Sequence, residues 1–260
     1  MYFKRLCGPI VFFAIVFVPA ASWAAHPLIT DDSGTQGKGK FQFELNAQHD
    51  IDKETIAGVR VESSTKELAT ILSYGATDSL DLVVGLPYLW NKVKEDGATT
   101  FSDSGIGDVT LEAKWRFYDE NGLGFAIKPG ISFPTGDDEK GFGAGKTGYS
   151  VFFIASKEIK LLAFHANLGY MRNENKVEEE KNLWHVSVAG IYAMSENLKA
   201  VANIGMERNA DTATHEEPAF LLGGLIYSVN ENFDIDAGVK YGMNNAETEL
   251  SYLAGAAFRF

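Results

Sequence analysis

The chain has 260 residues, 45% of them hydrophobic, with 23 basic against 35 acidic residues and a net charge of −12. Such an acidic surplus excludes nucleic acid as a partner, since phosphate contacts need clustered lysine and arginine. It leaves a membrane open, because a barrel keeps its polar groups inside and in its loops. At the N-terminus, Lys4 and Arg5 precede the apolar run GPIVFFAIVFVPAA. Ser22-Trp23-Ala24 places small residues around a cleavage point, so residues 1–24 read as a secretory signal peptide cut after Ala24. The apolar run is shorter than the ~20 residues of a spanning helix. Cys7, the single cysteine, precedes that run, so the mature chain is expected to have no disulfide and no thiol chemistry. Loss of Lys4 and Arg5 leaves 21 basic and 35 acidic residues, a net charge of −14.

Residues 25–40 are polar and glycine-bearing, with Asp31 and Asp32. This segment is expected either to hang in the periplasm or to fold into a lumen as a plug. As a plug it would be held by Asp31 or Asp32 against lumen Lys or Arg.

From Phe41 onward apolar residues recur at every second position, the period of a strand. The first run is Phe41, Phe43, Leu45 and Ala47, followed less cleanly by Leu68–Tyr74. Leu80, Leu82, Val84, Leu86, Tyr88 and Trp90 form the strongest. Further runs start at Val109, Phe125, Tyr149, Leu162, Trp184, Leu198, Ala219, Phe233 and Leu250, giving about twelve strands within residues 41–260. Short connections such as ATDS, DENG and SENL alternate with long ones. The long ones include HDIDKETIAGVRVESS, KVKEDGATTFSDSG, TGDDEKGFGAGKTG, RNENKVEEEKN and ERNADTATHEEP. Tight turns on one rim and long loops on the other fit an all-β, antiparallel, up-and-down transmembrane barrel with short periplasmic turns and long extracellular loops. Eleven steps of about 3.3 Å tilted near 40° span about 28 Å, the apolar band of a bilayer. Tyr and Trp gather near strand ends, at headgroup depth. Sandwich strands usually run about five or six residues, half as long.

The alternate face of each run is polar, charged or small. It carries Glu112, Lys114 and Arg116, then Lys128, then Asp234, Asp236 and Lys240. Unpaired charges cannot face lipid, so these residues are expected to line a hydrated lumen and set its selectivity by sign and hydration. Inner glycines are expected to trim bulk where a small barrel curves. His165 and His185, on adjacent strands, are expected to line the lumen as a polar pair.

GFGAGKTGY, Gly141–Tyr149, carries the Gly-Lys-Thr of a phosphate-binding loop, but only three residues separate Gly141 from Gly145 where four are required. The β-rich GYSVFFIAS follows it, with no helical period. It reads as a strand connection, and no nucleotide or other cofactor is expected. The five histidines show no metal-ligand spacing. A lipid-hydrolase barrel would need a serine beside an outward histidine, whereas both strand histidines have the inward phase. No catalytic residue is assigned.

HPLITDDSGTQGKGKFQFELN, SGIGDVTLEAKWRF, ISFPTGD with its glycine-rich sequel, and FHANLGY occur in that order. They resemble the outer-membrane family labelled putative MetA-pathway of phenol degradation, from about His26 to Phe260. The resemblance implies a Gram-negative outer-membrane barrel passing a small, aromatic or hydrophobic solute. AGAAFRF resembles the last strand of such barrels, with Tyr252, Phe258 and Phe260 as the signal to the assembly machinery. Lipid and lipopolysaccharide would surround the wall. The alternatives are a sealed structural barrel and an outer-membrane lipid-modifying enzyme. A hydrophobic solute would leave sideways where Pro87, Pro129 or Pro134 interrupts the ladder.

Overall fold

The computed structural model describes residues 26–260; the expected signal peptide lies outside the described residues. Thirteen strands follow in order: β1 Phe41–Ile56, β2 Val59–Thr77, β3 Leu80–Glu95, β4 Ala98–Ile106, β5 Val109–Glu120, β6 Leu123–Phe133 and β7 Gly148–Ile159. Then come β8 Leu162–Arg172, β9 Asn182–Ala193, β10 Leu198–Glu207, β11 Ala219–Asn230, β12 Phe233–Gly242 and β13 Leu250–Arg259. Every pairing is antiparallel, and β1 bonds both β2 and β13, so the sheet closes on itself. β4 and β5 both pair with β3, β4 towards the loop end and β5 towards the turn end. They form one wall strand broken at Gly107–Asp108, so the wall has twelve staves.

The barrel is inside out relative to a soluble protein. Leu82, Val84, Leu86, Tyr88 and Trp90 stand exposed on the outer face of β3. Asp81, Val83, Leu89 and Asn91 on the other face are buried. Period-2 alternation produces this directly, since successive Cβ atoms point to opposite faces. No helix among the described residues is long and apolar enough to cross a membrane.

Two expected loops are strand instead. β1 and β2 stay paired from Phe41↔Tyr74 to Ile56↔Val59, so most of HDIDKETIAGVRVESS belongs to a tall hairpin. β3 and β4 likewise absorb most of KVKEDGATTFSDSG. Their tips are Ala57-Gly58 (φ 50° and 87°) and Asp96-Gly97 (φ 46° and 84°). Two successive positive φ values are the tight turn whose twist matches a hairpin. These extensions rise beyond the apolar band, so both faces are polar and the alternation that marks wall strands is absent.

The inner face is also less polar than expected. Phe220, Leu222 and Ile226 of β11 point inward and cluster with Val201, Leu253 and Leu28 of the N-terminal segment. Phe152 and Ile154 of β7 cluster with Met171, Leu183 and Ala210, the last from the β10–β11 loop. These side chains are buried against chain that enters the lumen, not against water.

Candidate functional site

The N-terminal segment departs from the turn end of β1 and runs inside the barrel. Near the rim, Lys38 N donates to Asp78 Oδ1 at 3.1 Å, and Gln36 N donates to the Asp81 carboxylate at 3.0 and 3.2 Å. Farther in, Ser33 N donates to Ser156 Oγ at 2.8 Å. Asp31 N donates to Asn167 Oδ1 at 2.6 Å, and Asn167 Nδ2 returns a bond to Asp31 O at 2.9 Å. Ile29 N and Thr30 N both donate to Asn203 Oδ1. His26 Nδ1 meets Asp236 Oδ1 at 2.5 Å. The segment thus travels along the inner wall from β3 to β12, and wall side chains take the place of water for its backbone.

Asp31 is the electrostatic centre. Its carboxylate lies 3.1 Å from Lys114 Nζ and 2.9 Å from Lys128 Nζ, and Lys128 also reaches Glu112 at 3.4 Å. The Asp31, Lys128 and Glu112 side chains are each 2% exposed. Burial pushes the Asp31 carboxyl up, but the two ammonium groups outweigh it and hold the group at about 2, below the ordinary 3.8. Asp32 forms no such pair; its carboxylate caps Gly34 N. The inner glycines make room for this chain as much as for curvature. A Cβ on Gly224 would lie 2.7 Å from Pro27 Cγ, and one on Gly238 would lie 2.9 Å from Pro27 Cβ. Between the segment and the turn-end mouth remains a cavity of about 370 Å³, lined by Glu44, Asp81, Asp234, Asp236, Lys199 and Arg259 among others.

Asp234 pairs with Arg259 at 2.7 Å, and Lys240 with Glu247 of the last loop at 2.8 Å. Arg116 sits at the turn-end rim, bonded to Asp119 and to the carbonyl of Asp78, rather than deep in the lumen. A register break between Arg116 and Tyr118 re-aims it. His165 and His185 share the inner face but do not form a pair. His165 stands opposite Ala189 and His185 opposite Gly169, so they are four steps, about 13 Å, apart along the strands. His165 Nδ1 bonds Ser156 Oγ at 2.8 Å. His185 bonds Glu207 through Nδ1 at 3.0 Å and Ser187 through Nε2 at 2.9 Å. Tyr252, Phe258 and Phe260 face outward and exposed. Phe260 N and O both bond the backbone of Phe41, closing the ring.

At the loop end, Phe142 of the glycine-rich connection is 1% exposed and packs over Gly105. Gly136 N and Ala144 N fix that connection on the Asp108 carboxylate, both at 2.9 Å. The connection is anchored rather than free, while Lys146 remains exposed. Among the described residues no group of three His, Cys, Asp or Glu has metal-holding geometry. Residues not singled out from sequence include Asn167, Ser187 and Asn203; the first two share the inward phase with His165 and His185, and Asn203 lies on a strand noted only for its outward apolar residues.

Closure of a twelve-stave antiparallel sheet with its apolar face outward defines the class: a β-barrel of the Gram-negative outer-membrane type. Within that class, the family described as Putative MetA-pathway of phenol degradation matches residues 29–260, and the chain belongs to it. No curated protein matches the sequence. Among solved structures the chain is similar to the NanC porin, with TM-score 0.54 and 13% identity over 82% of this chain and 98% of that one. It is also similar to the translocator domain of the autotransporter NalP from Neisseria meningitidis, with TM-score 0.52 and 12% identity over 86% and 89%. The KdgM porin gives TM-score 0.51 and 10% identity over 84% and 99%. At these identities the likeness is one of fold.

Proposed function

We propose that this chain is an outer-membrane channel for passive movement of a small molecule, shut at rest by its own N-terminal segment. The observation that carries the reading is Asp31 bonded to Lys114 and Lys128 across the lumen. A single-stranded segment held mainly by side-chain bonds and one ionic cluster can leave without disturbing the wall ladder. Its departure would expose Lys114, Lys128, Glu112 and Asp236 to solutes, which they would sort by sign and hydration. It would also bare Phe220, Leu222 and Ile226, which cluster with Leu28 in the closed state. An inner wall with both charges and apolar side chains suits a solute with an aromatic or hydrophobic body, in keeping with the family description. The segment itself is the plug, and residues 1–24 the export signal that brings the barrel to the outer membrane.

A second reading, a sealed structural barrel, draws on the loop end. There Phe142, Ala210 and Asn175 are buried and Glu247 turns in to Lys240. Liposome swelling separates the two. Barrels lacking residues 25–37 should admit small neutral solutes that the bilayer holds back, such as arabinose and glucose, faster than the full chain does. Equal, negligible swelling by both proteins would favour the sealed barrel.

A further inference from the structure

A continuous chain of hydrogen bonds crosses β9, β10 and the N-terminal segment. Asn203 Nδ2 donates to Thr30 Oγ1 at 2.7 Å, and Thr30 Oγ1 donates to Ser187 Oγ at 2.7 Å. Ser187 Oγ lies 2.9 Å from His185 Nε2, and His185 Nδ1 lies 3.0 Å from Glu207 Oε2. A neutral imidazole satisfies every link. Ser187 donates to Nε2, and the imidazole carries its proton on Nδ1 and donates it to Glu207, so each bond polarises the next. Serine, histidine and carboxylate in that order and at those distances are the parts of a nucleophile activated by a base that a carboxylate orients. Ser187 and His185 are two residues apart on one strand and therefore share the inner face. Glu207 is the register partner of His185 on β10. Phe152 packs edge-on against the imidazole at 5.9 Å. All three members are thus held by ladder geometry or packing, not by a mobile loop.

The Thr30 hydroxyl shows where a substrate would sit. A reacting group must lie about 3 Å from both the nucleophile and a donor able to stabilise the oxyanion. Thr30 Oγ1 occupies such a point, between Ser187 Oγ and the Asn203 amide. Asn167, the register partner of Ser187 on β8, spends its amide on Asp31 O. When the segment withdraws, both amides are released beside the serine, and the apolar cluster of Phe152, Met171 and Leu183 adjoins the histidine.

We propose that Ser187, His185 and Glu207 form a hydrolytic triad inside the lumen, blocked by Thr30, that cleaves small carboxylic esters with an apolar acyl group. Ser187 Oγ bonds to the ester carbonyl carbon while its proton passes to His185 Nε2, and the Asn203 and Asn167 amides receive the oxyanion. The C–O bond to the alcohol breaks, and the alcohol oxygen takes the proton from His185, leaving an acyl-serine. Water then adds to the acyl carbon, gives one proton to His185, and releases the carboxylic acid as Ser187 regains its hydrogen. Glu207 is a positioning residue that fixes the imidazole tautomer.

The test is covalent labelling of the folded, full-length protein in detergent with an alkyl fluorophosphonate, read by peptide mass spectrometry; it does not require the barrel to conduct. Three forms are compared: wild type, Asp31→Ala and Gly238→Leu, the two variants chosen to unseat the segment by different means. An adduct on Ser187 is expected, at least tenfold faster in one or both variants than in wild type, and abolished by His185→Gln. Hydrolysis of 4-nitrophenyl butyrate should follow the same order. In the Asp31→Ala background, Glu207→Gln should lower kcat about a hundredfold or more with KM nearly unchanged, as for other mis-set tautomers. Absence of a Ser187 adduct in all three forms would overturn the proposal, as would labelling that survives His185→Gln undiminished.

Discussion

Replacing Asp31 by alanine removes the shared partner of Lys114 and Lys128 while leaving the wall intact. In the seated state the Lys128 side chain is 2% exposed and that of Lys114 10%, so neither ammonium recovers bulk water when the carboxylate goes. Lys128 keeps Glu112 at 3.4 Å, and Lys114 keeps the carbonyl of Asp32 at 3.3 Å. Breaking a buried pair from one side costs about 3–5 kcal/mol, which moves the seated-to-unseated ratio by roughly two to three and a half powers of ten. The anchors at Asn167 and Asn203 are backbone-mediated and survive, so the barrel should open in bursts rather than stay open. Single-channel recording should show long silence in the wild type and frequent openings in Asp31→Ala, and protease added on the turn side should cut the segment only in the variant. The pH dependence has a defined sign. Because the seated Asp31 lies at about 2 against an ordinary 3.8, its contribution is complete above pH 3.8 and is lost as pH falls through about 2. An Asp31→Ala barrel as silent and as protease-resistant as wild type would refute the reasoning.

Other tests probe different contacts. Gly238→Leu places a side chain where Pro27 lies and should weaken seating by about 1–3 kcal/mol while leaving the ionic cluster unchanged, seen as shorter closed times. His26→Ala removes the bond to Asp236, a nearly buried partner, and should raise opening roughly ten- to a hundredfold, in line with the ~1.5–3 kcal/mol of a hydrogen bond to a charged group. Phe260→Ala loses the stacking of Phe260 on Phe41 at 5.7 Å, which costs about 0.5–1.5 kcal/mol in the refolded barrel. If the terminal aromatic is also read during assembly, outer-membrane levels of folded barrel should fall well beyond what that loss explains; heat-modifiable mobility on gels measures it.

The wall was legible because bilayer and water impose a sharp period-2 contrast, and each strand from Leu80 to Trp90 or Phe233 to Met243 records it. That Asp31 or Asp32 would meet a lumen Lys or Arg if the segment entered the barrel was readable in advance, since a carboxylate entering a charged lumen needs a cation; which carboxylate and which cation was not. Other features left a weaker trace. The rising hairpins beyond Gln48 and Asn91 lie in water on both faces, so polarity alone cannot separate them from loops. VFFIAS and AFLLGGLIY are apolar on both phases, the mark of strands buried on two sides, yet what covers their inner face is chain far away in sequence. The separation of His165 and His185 depended on register, which alternation does not fix. Ser187 carried no flanking motif; only Glu207, brought alongside by the β9–β10 register, gives its histidine an orienting carboxylate.

Planar-bilayer conductance of the full chain and of a barrel lacking residues 25–37 decides whether the N-terminal segment closes a lumen otherwise able to conduct. The full chain should be nearly silent, and the shortened barrel should give discrete, long-lived conductance steps. A shortened barrel that is folded by its heat-modifiable mobility and remains silent would contradict that closure.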